Sequence, residues 1–289
     1  MASAHEEDLQ SEIHRSLGDV SIVQSNRKDF HVFEAQKSNA RVMYPILKAL
    51  SFMEYCLMTV TIDGFKITID DQHHQQANIY FHYDQFSTFV CRSTVKLCFH
   101  LNTFTELLNV FAGNTTHLRI HYDGEGSSLI ASVEDDGIVF NCAINTQIPN
   151  AALDFEFNSV RPLCKVILRP ECMRDVIREL DNSALSVMII VTKSYISFYT
   201  DGDLGKIKTE IPSHSEQVEL LECLENRVCH SYKISLIRRI LGCFAISDKV
   251  SIRINEHGVI CFQFLIPLTE DQHHFVEIFC TADGDVYFR

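Results

Sequence analysis

The chain lacks any run of 18 consecutive apolar residues, so it has no segment long enough for a transmembrane helix. Its strongest apolar run, from Ala184 to Val191, has only the length of a strand. The first ten residues, MASAHEEDLQ, are acidic and contain no apolar h-region. We therefore expect neither a secretory signal nor a membrane partner.

A CxxC pair is also missing, although the chain contains eleven cysteines. The number is odd, and most cysteines lie in apolar segments such as LCFHL and ICFQF. This pattern favours free buried thiols in a reducing compartment over a disulfide framework. It also provides no cluster of ligands at the short spacing of a zinc site. We expect the cytoplasm or the nucleus and no bound metal.

Sequence motifs for catalysis are absent: there is no GxxxxGK[ST], GxGxxG, GxSxG or HExxH. The tetrapeptide DQHH occurs at 71–74 and 271–274. Adjacent histidines in a strand point to opposite faces, so loop or surface histidines are favoured over a ligand pair. The pairs Asp70-Asp71 and Asp135-Asp136 fall at predicted strand ends, which favours solvated turn residues. We predict no catalytic residue, no cofactor and no enzymatic activity.

Basic residues are few, with 25 Lys and Arg against 38 Asp and Glu, and the formal net charge is −13. Such a balance opposes binding to phosphates unless the bases gather on one surface. The positions of the bases therefore matter more than their number.

One apolar pattern, at positions i, i+3, i+4 and i+7, recurs four times and predicts four helices that each bury one face. The starts of the four copies are 61, 69 and 64 residues apart. The four sets are Met43, Ile46, Leu47 and Leu50; Phe104, Leu107, Leu108 and Phe111; Met173, Val176, Ile177 and Leu180; and Ile237, Ile240, Leu241 and Phe244.

Residues at the helix ends refine these predictions. Pro45 implies that the first helix begins near Tyr44, after a loosely wound stretch. Thr103 and Glu106 fit a capping box for the second helix, and Pro170 suits the first turn of the third.

A short strand precedes each helix, and three more strands separated by turns follow it. This unit, strand–helix–strand–strand–strand, predicts an α+β fold with largely antiparallel sheets and helices on one face. Four units make two similar domains, at 29–144 and 161–289, joined by a linker at 145–160. The polar segment 1–28 is predicted to be a disordered tail, with a partner-binding helix as the alternative.

The outward faces of three helices carry the bases Arg41, Lys48, Arg174, Arg178, Arg238 and Arg239. The second helix carries none. A solvated polar face explains such charges, with Asp175 and Glu179 pairing the arginines of the third helix. The alternative function is contact with DNA phosphates, which requires no reading of base edges.

Several stretches of the sequence resemble the DNA sliding clamps of the PCNA family. CAINTQIPNAALDFEF at 142–157, QANIYF at 76–81, YKISLI at 232–237 and KVSIR at 249–253 resemble the Rad-one type of subunit in the heterotrimeric checkpoint clamp. DGDLG at 201–205 resembles a turn of PCNA itself. The resemblance covers about residues 29–282, and the order and spacing of the stretches make it specific.

The resemblance implies a clamp fold in which four helices line the inner face of a ring and the sheets lie outside. It implies a nuclear scaffold for checkpoint signalling and repair that encircles double-stranded DNA without sequence specificity. It also implies partners: Rad-nine-type and Hus-one-type subunits, an ATP-dependent clamp loader, and checkpoint and repair factors. By position, the six helix bases become DNA-facing residues. Leu153, Phe155 and Phe157 become the rim of a partner groove, with domain packing as their other role.

Two alternative functions remain at this point. A replicative PCNA-like clamp would form a homotrimer, but the second helix lacks the lysines that replicative PCNA carries there. A DNA exonuclease would need several carboxylates converging on one pocket, and the sequence indicates no such group.

Overall fold

The computed structural model describes residues 31–72, 74–111, 116–149, 155, 157, 161–268 and 273–284. The predicted tail at 1–28 and most of the predicted linker lie outside these residues. The strands in the described part are β1 Phe33–Ser38, β2 Tyr55–Thr61, β3 Gly64–Asp71, β4 Gln75–His82, β5 Thr88–Cys91, β6 Val95–His100, β7 His117–Tyr122, β8 Leu129–Asp135, β9 Ile138–Ile144, β10 Thr146–Gln147, β11 Cys164–Leu168, β12 Ser186–Val191, β13 Tyr195–Gly202, β14 Gly205–Pro212, β15 Val218–Cys223, β16 Val228–Lys233, β17 Lys249–Ile254, β18 Ile260–Pro267 and β19 His273–Cys280.

Helices form at all four predicted places. They are α1 Tyr44–Ala49, α2 Leu101–Leu107, α3 Pro170–Glu179, α4 Ile234–Arg239 and α5 Leu241–Phe244. A 3-10 turn at Ala40–Met43 precedes α1, as the position of Pro45 predicted. The fourth predicted helix is split into α4 and α5 at Ile240, whose φ of −89° and ψ of 0° depart from helical values.

The strands form three sheets, and every pairing in the described residues is antiparallel. Their orders are β5-β1-β7-β8-β9, then β10-β6-β2-β3-β4-β19-β18-β17-β11-β15, and β14-β13-β12-β16. The central ten-stranded sheet joins the two halves of the chain, because β4 pairs with β19. The predicted α+β class with antiparallel sheets is confirmed.

The two halves repeat one topology. Adding ten to each strand number turns β5-β1-β7-β8-β9 into β15-β11-β17-β18-β19, which is half of the central sheet. The same step turns β6-β2-β3-β4 into β16-β12-β13-β14. Each half therefore consists of one five-stranded and one four-stranded sheet segment, with helical segments at two positions in the chain. The domain limits at 29–144 and 161–289 remain a prediction.

Alternating burial along the strands builds the core. Met58, Val60, Ile67, Ile79 and Phe81 point inward from β2, β3 and β4, and each is at most 1% exposed. Helix residues such as Phe104 and Ile177 complete one hydrophobic cluster that includes residues of both halves. All eleven cysteines are free thiols, as predicted, and six of them are buried.

Some local predictions were wrong. The N-cap of α2 is His100, whose ring Nδ1 accepts a hydrogen bond from the Thr103 backbone N–H at 3.2 Å, so the capping box at Thr103 does not form. Asp71 is not a solvated turn residue, because it forms an ion pair with Arg239. The second DQHH segment ends in a strand, and its His274 is 1% exposed rather than on the surface.

Membrane spans were searched among the described residues, and none of the helices there is both long and apolar enough to cross a bilayer. The longest, α3, has 10 residues, whereas a span needs about 20.

Candidate nucleic-acid interface

The helices form one layer in which they contact one another in the order α2, α1, α5 and α3. The contact between α1 and α5 joins the two halves. At this contact Gly242 lies so close to Ala49 that a Cβ on the glycine would stand 3.0 Å from the Ala49 Cβ. The layer is thus a continuous surface with contributions from all four predicted helices.

This helical layer carries a net positive charge in an otherwise acidic chain. Together with the turn before α1, the helices contain six bases and four acids, a formal charge of +2, whereas the whole chain carries −13. The four acids are Glu106, Glu171, Asp175 and Glu179. Charges gathered in this way are the electrostatic footprint expected for phosphate contact in a protein whose net charge is negative.

The two bases near α1 differ in their surroundings. Lys48 Nζ donates to Glu106 Oε1 of α2 at 2.8 Å, and both side chains are about half exposed. The hydrogen bond that Lys48 donates to Glu106 raises the pKa of Lys48, so the lysine stays charged. Arg41 is half-buried and interacts with its surroundings. Because α2 offers Glu106 where the other helices offer bases, this end of the layer is partly neutralised.

The arginines of α3 lie on the open side of the helix. Arg174 Nε is 3.5 Å from Asp175 Oδ1, which agrees with the predicted pairing, and its side chain is 30% exposed. Arg178 is exposed and forms no ion pair with a described residue. Arg178 is therefore the helix base most available to a phosphate.

Arg238 has a structural contact. Its Nη2 donates to the Leu180 carbonyl oxygen at 2.6 Å, at the C-terminal end of α3. The last carbonyls of a helix lack partners within it and carry partial negative charge, which a guanidinium neutralises. Its buried Nε has no hydrogen-bond partner among the described residues. Arg238 thus joins α4 to α3, and only part of its side chain is available to DNA.

Arg239 contacts the other half of the chain. Its guanidinium forms an ion pair with Asp71 at the end of β3 and lies 5.6 Å from the ring centroid of Phe52. Nearby, Gln75 Nε2 donates to the Leu236 carbonyl at 2.9 Å. These contacts connect α4 with the first half, so the positive charge of Arg239 is largely compensated.

The linker aromatics lie on the sheet face opposite the helices. Phe155 stacks on Phe279 with ring centroids 5.9 Å apart, and Phe157 approaches the same ring at 5.5 Å. Phe157 is 3% exposed and packs with Val259. The Arg253 guanidinium lies 5.2 Å from the Phe157 centroid. Both phenylalanines thus pack between linker and sheet, and Leu153 lies outside the described residues.

A polar network covers the pairing between β4 and β19, and no sequence pattern indicated it. Tyr80 Oη donates to Glu277 Oε2 at 3.0 Å, and Gln263 Nε2 donates to Glu277 Oε1 at 3.0 Å. Arg253 Nη2 is 3.5 Å from the same carboxylate. Burial, with Glu277 as the next cause, raises the pKa of Tyr80, so its hydroxyl remains a donor. The partners come from four strands, so only the sheet register brings them together.

Comparison with known proteins gives a consistent result. The family described as "Repair protein Rad1/Rec1/Rad17" matches residues 32–266. "Cell cycle checkpoint protein RAD1" of Mus musculus is 32% identical over 275 residues, which cover 92% of this chain and 98% of the mouse protein. The protein of the same name in Homo sapiens is 32% identical over 266 residues, or 89% of this chain and 94% of the human protein.

Two more distant relatives bear on the alternative functions. "Proliferating cell nuclear antigen" of Saccharomyces cerevisiae is 22% identical over 74% of this chain and 91% of the yeast protein. "DNA repair exonuclease REC1" of Mycosarcoma maydis is 22% identical over 61% of this chain and 44% of that protein. The predicted resemblance to the Rad-one type of clamp subunit and the predicted clamp fold are confirmed.

Proposed function

Because the chain belongs to the Rad1/Rec1/Rad17 family of repair proteins, we propose that it is one subunit of a heterotrimeric DNA sliding clamp. In this function it is a scaffold for DNA-damage checkpoint signalling and repair, and it encircles double-stranded DNA without reading sequence. Its relatives' printed names, which include checkpoint and repair proteins, support the biological setting. The nucleus is the corresponding compartment.

The repeated topology supports the proposed assembly of subunits into a ring. Within the chain, β4 pairs with β19. The strands at the equivalent places are β14 and β9, and both are edge strands. If β14 of one molecule pairs with β9 of the next as β4 pairs with β19, the contact between molecules repeats the contact between halves. A head-to-tail contact of this kind closes into a ring when its rotation permits.

The surface of β9 supports this pairing. Ile138, Val139 and Phe140 are 64%, 52% and 43% exposed. An edge strand with exposed apolar side chains is a site for pairing with another chain. In contrast, β14 alternates exposed and half-buried residues, with Lys206, Lys208 and Glu210 exposed. The two edges differ, which favours a heterologous contact over a symmetric dimer.

The proposed neighbours are two different PCNA-like subunits, of the Rad-nine and Hus-one types, and an ATP-dependent loader opens the ring. The absence of a base on α2, together with the Lys48–Glu106 pair, leaves this subunit's DNA face unevenly charged. A ring of three identical subunits would contain this weakly basic region three times. Partners with more basic inner faces would give the ring a stronger attraction for DNA phosphates. The replicative homotrimer is therefore the second candidate.

We also propose that the chain is a scaffold without enzymatic activity. The REC1 relative carries an exonuclease name, but this chain covers less than half of that protein. Of the acidic pairs, Asp71 is engaged by Arg239, and Asp136 lies in the β8–β9 turn with a φ of 49°. The test is DNA degradation by highly purified protein with Mg²⁺ or Mn²⁺. Activity that persists through purification and disappears on mutation of a carboxylate pair would establish a nuclease.

The outer face of the central sheet is the proposed docking place for clamp-binding peptides. Phe155 and Phe157 fix the linker on β18 and β19 and so form one rim of a groove, to which Leu153 is assigned by sequence alone. Their packing with Phe279 means that substitutions there also test linker attachment. Peptide binding is therefore best measured with Phe155→Ala, because Phe155 is only partly buried, whereas Phe157 is almost fully enclosed.

The edge pairing is tested by Ile138→Asp, which places a charge on the exposed face of β9. The matched control is Ile62→Asp, in the β2–β3 turn, where the isoleucine is 76% exposed. Co-purification with the two partner subunits should lose one neighbour in the Ile138 variant and neither in the control. Retention of both neighbours by Ile138→Asp would exclude β9 as an assembly edge.

A further inference from the structure

At the start of β1, His31 meets two side chains that are distant from it in sequence, His121 and Asp123. One ring nitrogen each of His31 and His121 and one carboxylate oxygen of Asp123 lie within 4.8 Å of one another. No other group of three or more such residues clusters in this way among the described residues. His31 and Asp123 are 92 positions apart, so ligand spacing in the sequence could not have indicated the group.

The backbone holds the three positions around two paired strands, β1 and β7. His31 lies two residues before β1, and its carbonyl oxygen accepts a hydrogen bond from Arg92 Nε at 2.9 Å. The Val32 N–H donates to the Tyr122 carbonyl at 2.9 Å, which places Asp123 beside the start of β1. His121 belongs to β7, in register with Glu34 of β1. The backbone positions of the three residues are therefore fixed by hydrogen bonds and strand pairing.

The contacts within the group leave one ring nitrogen without a hydrogen-bond partner among the described residues. His31 Nδ1 is 2.6 Å from Asp123 Oδ1, and the two imidazole centroids are 4.2 Å apart. His121 Nδ1 is buried and has no hydrogen-bond partner among the described residues. The His31 side chain is 11% exposed, whereas that of Asp123 is 60% exposed. The group thus has one largely enclosed imidazole, one half-buried imidazole and one open side, through which an ion could enter.

Charges around the group suit a cation. The Glu34 carboxylate lies within electrostatic reach of both histidines. Arg119 Nε contacts Glu34 Oε1 at 3.1 Å and offsets part of that negative charge. Glu34 is therefore placed to orient and balance the site rather than to bind the ion directly.

We propose that His31, His121 and Asp123 bind one divalent transition-metal cation, with Zn²⁺ as the expected occupant. Zn²⁺ takes imidazole nitrogens and carboxylate oxygens at about 2.0–2.2 Å in a tetrahedral arrangement, with water in the fourth position. Mg²⁺ and Ca²⁺ prefer a larger set of oxygens. This site would overturn the sequence-based expectation of no metal, and it does not depend on the proposed ring.

Binding requires a small adjustment. Ligand atoms around tetrahedral Zn²⁺ stand roughly 3.3 Å apart. The His31–Asp123 contact must therefore open from 2.6 Å, and the widest separation must close from up to 4.8 Å. Rotation of the exposed Asp123 side chain supplies this movement. The proton in the His31–Asp123 hydrogen bond leaves Nδ1 for Nε2 or for solvent, so that the Nδ1 lone pair faces the metal.

The test uses the full chain after treatment with a chelator and dialysis. Calorimetric titration with Zn²⁺ should give one site per chain, and Co²⁺ should give the visible d–d absorption of a tetrahedral site without near-ultraviolet thiolate charge transfer. His121→Asn and Asp123→Asn should each weaken binding at least about tenfold. Asp123→Asn exchanges the Asp-Gly pair at 123–124 for Asn-Gly, which is equally suited to turns, so this variant is expected to fold.

The matched control is His82→Asn. His82 Nδ1 also contacts an aspartate, Asp84 Oδ1 at 2.8 Å, but no third ligand joins that pair among the described residues. The control should bind Zn²⁺ like the unaltered chain. The proposal fails if the chain binds no Zn²⁺ at one equivalent, if Asp123→Asn and His121→Asn bind as tightly as the control, or if the Co²⁺ spectrum shows thiolate ligands from any of the eleven cysteines.

Discussion

His274 is a titratable side chain that β19 directs into the core. Both of its ring nitrogens are buried without a hydrogen-bond partner among the described residues, and its ring packs against Phe81 at 5.2 Å. Burial, with the positive charge of Lys37 as the second cause, lowers its pKa from 6.5 to about 4. The folded chain therefore holds this histidine neutral in conditions in which the unfolded chain would protonate it.

We predict that His274 makes the protein sensitive to acid. Because its folded-state pKa is depressed, the associated stability is complete above about pH 6.5 and is lost as the pH falls through 4. The shift corresponds to about 3 kcal/mol in the free energy of unfolding. Urea unfolding of His274→Leu from pH 7.5 to 4.5 should give a flatter pH dependence than the unaltered chain. His214→Leu, at an exposed position, should keep the original slope. Identical slopes for all three proteins would contradict this role.

Arg238 is a base that we expect to contribute more to the stability of the fold than to DNA binding. Arg238→Ala removes the hydrogen bond to the Leu180 carbonyl and should lower the free energy of unfolding by about 2 kcal/mol, the usual size for hydrogen bonds to charged groups. The matched substitution Arg178→Ala, on an exposed side chain of α3, should change stability by less than about 0.5 kcal/mol. Denaturant midpoints distinguish the two. Equal, small losses would show that the contact to Leu180 contributes nothing.

Residue-scale predictions from sequence succeeded where a single side chain sets the local conformation. Pro45 and Pro170 marked the starts of α1 and α3 correctly, because proline fixes φ and lacks an N–H. The capping box was wrong because the His100 ring took the N-cap place. His31 could not have been grouped with His121 and Asp123, since only the pairing of β1 with β7 brings it beside them.

At the scale of elements, α1 of the first half meets α5 of the second half through Gly242. A side chain at this position would enter the space of Ala49, whose Cβ and Cα lie 3.0 and 3.2 Å from the added Cβ. Gly242→Val should therefore separate α5 from α1 and cost about 1–3 kcal/mol of stability. Ala245→Val, at the exposed end of α5, is the control. A Gly242 variant with unchanged urea midpoint would mean that the two helices separate without cost.

Elements with strong periodicity were predicted well, and short ones were not. The four apolar stripes predicted the places of the helices because their buried faces are set by tertiary packing. The strands β5, β10 and β15 were missed. β5 and β10 have only four and two residues, and β15 carries charged residues on a sheet edge. Such strands depend on a partner strand rather than on their own pattern.

At the scale of the whole molecule, the helical layer is expected to face DNA. Arg178→Glu should shorten the retention of an assembled ring on DNA and reduce the salt slope of binding by about 1 for the lost phosphate contact. Lys96→Glu makes the same charge change on the face of β6 opposite its buried residues Val95 and Leu97. It should leave retention and salt slope unchanged. Equal behaviour of the two variants would remove Arg178 from the DNA-facing set.

The whole-molecule arrangement was predictable only in part. The four-fold repeat indicated two similar halves, and the structure adds that β4 and β19 fuse them into one ten-stranded sheet. Strand order across a sheet depends on contacts between distant segments, which a single sequence does not specify. The matching free edges β9 and β14 likewise became visible only once this order was known.

The most direct test of the ring is the mass of the assembly. The chain, mixed with purified Rad-nine-type and Hus-one-type subunits, should give a single particle by native mass spectrometry that contains one copy of each. Ile138→Asp in the same mixture should prevent closure of that particle. A stable particle of three copies of this chain alone, or a chain that remains monomeric beside both partners, would contradict the heterotrimeric clamp.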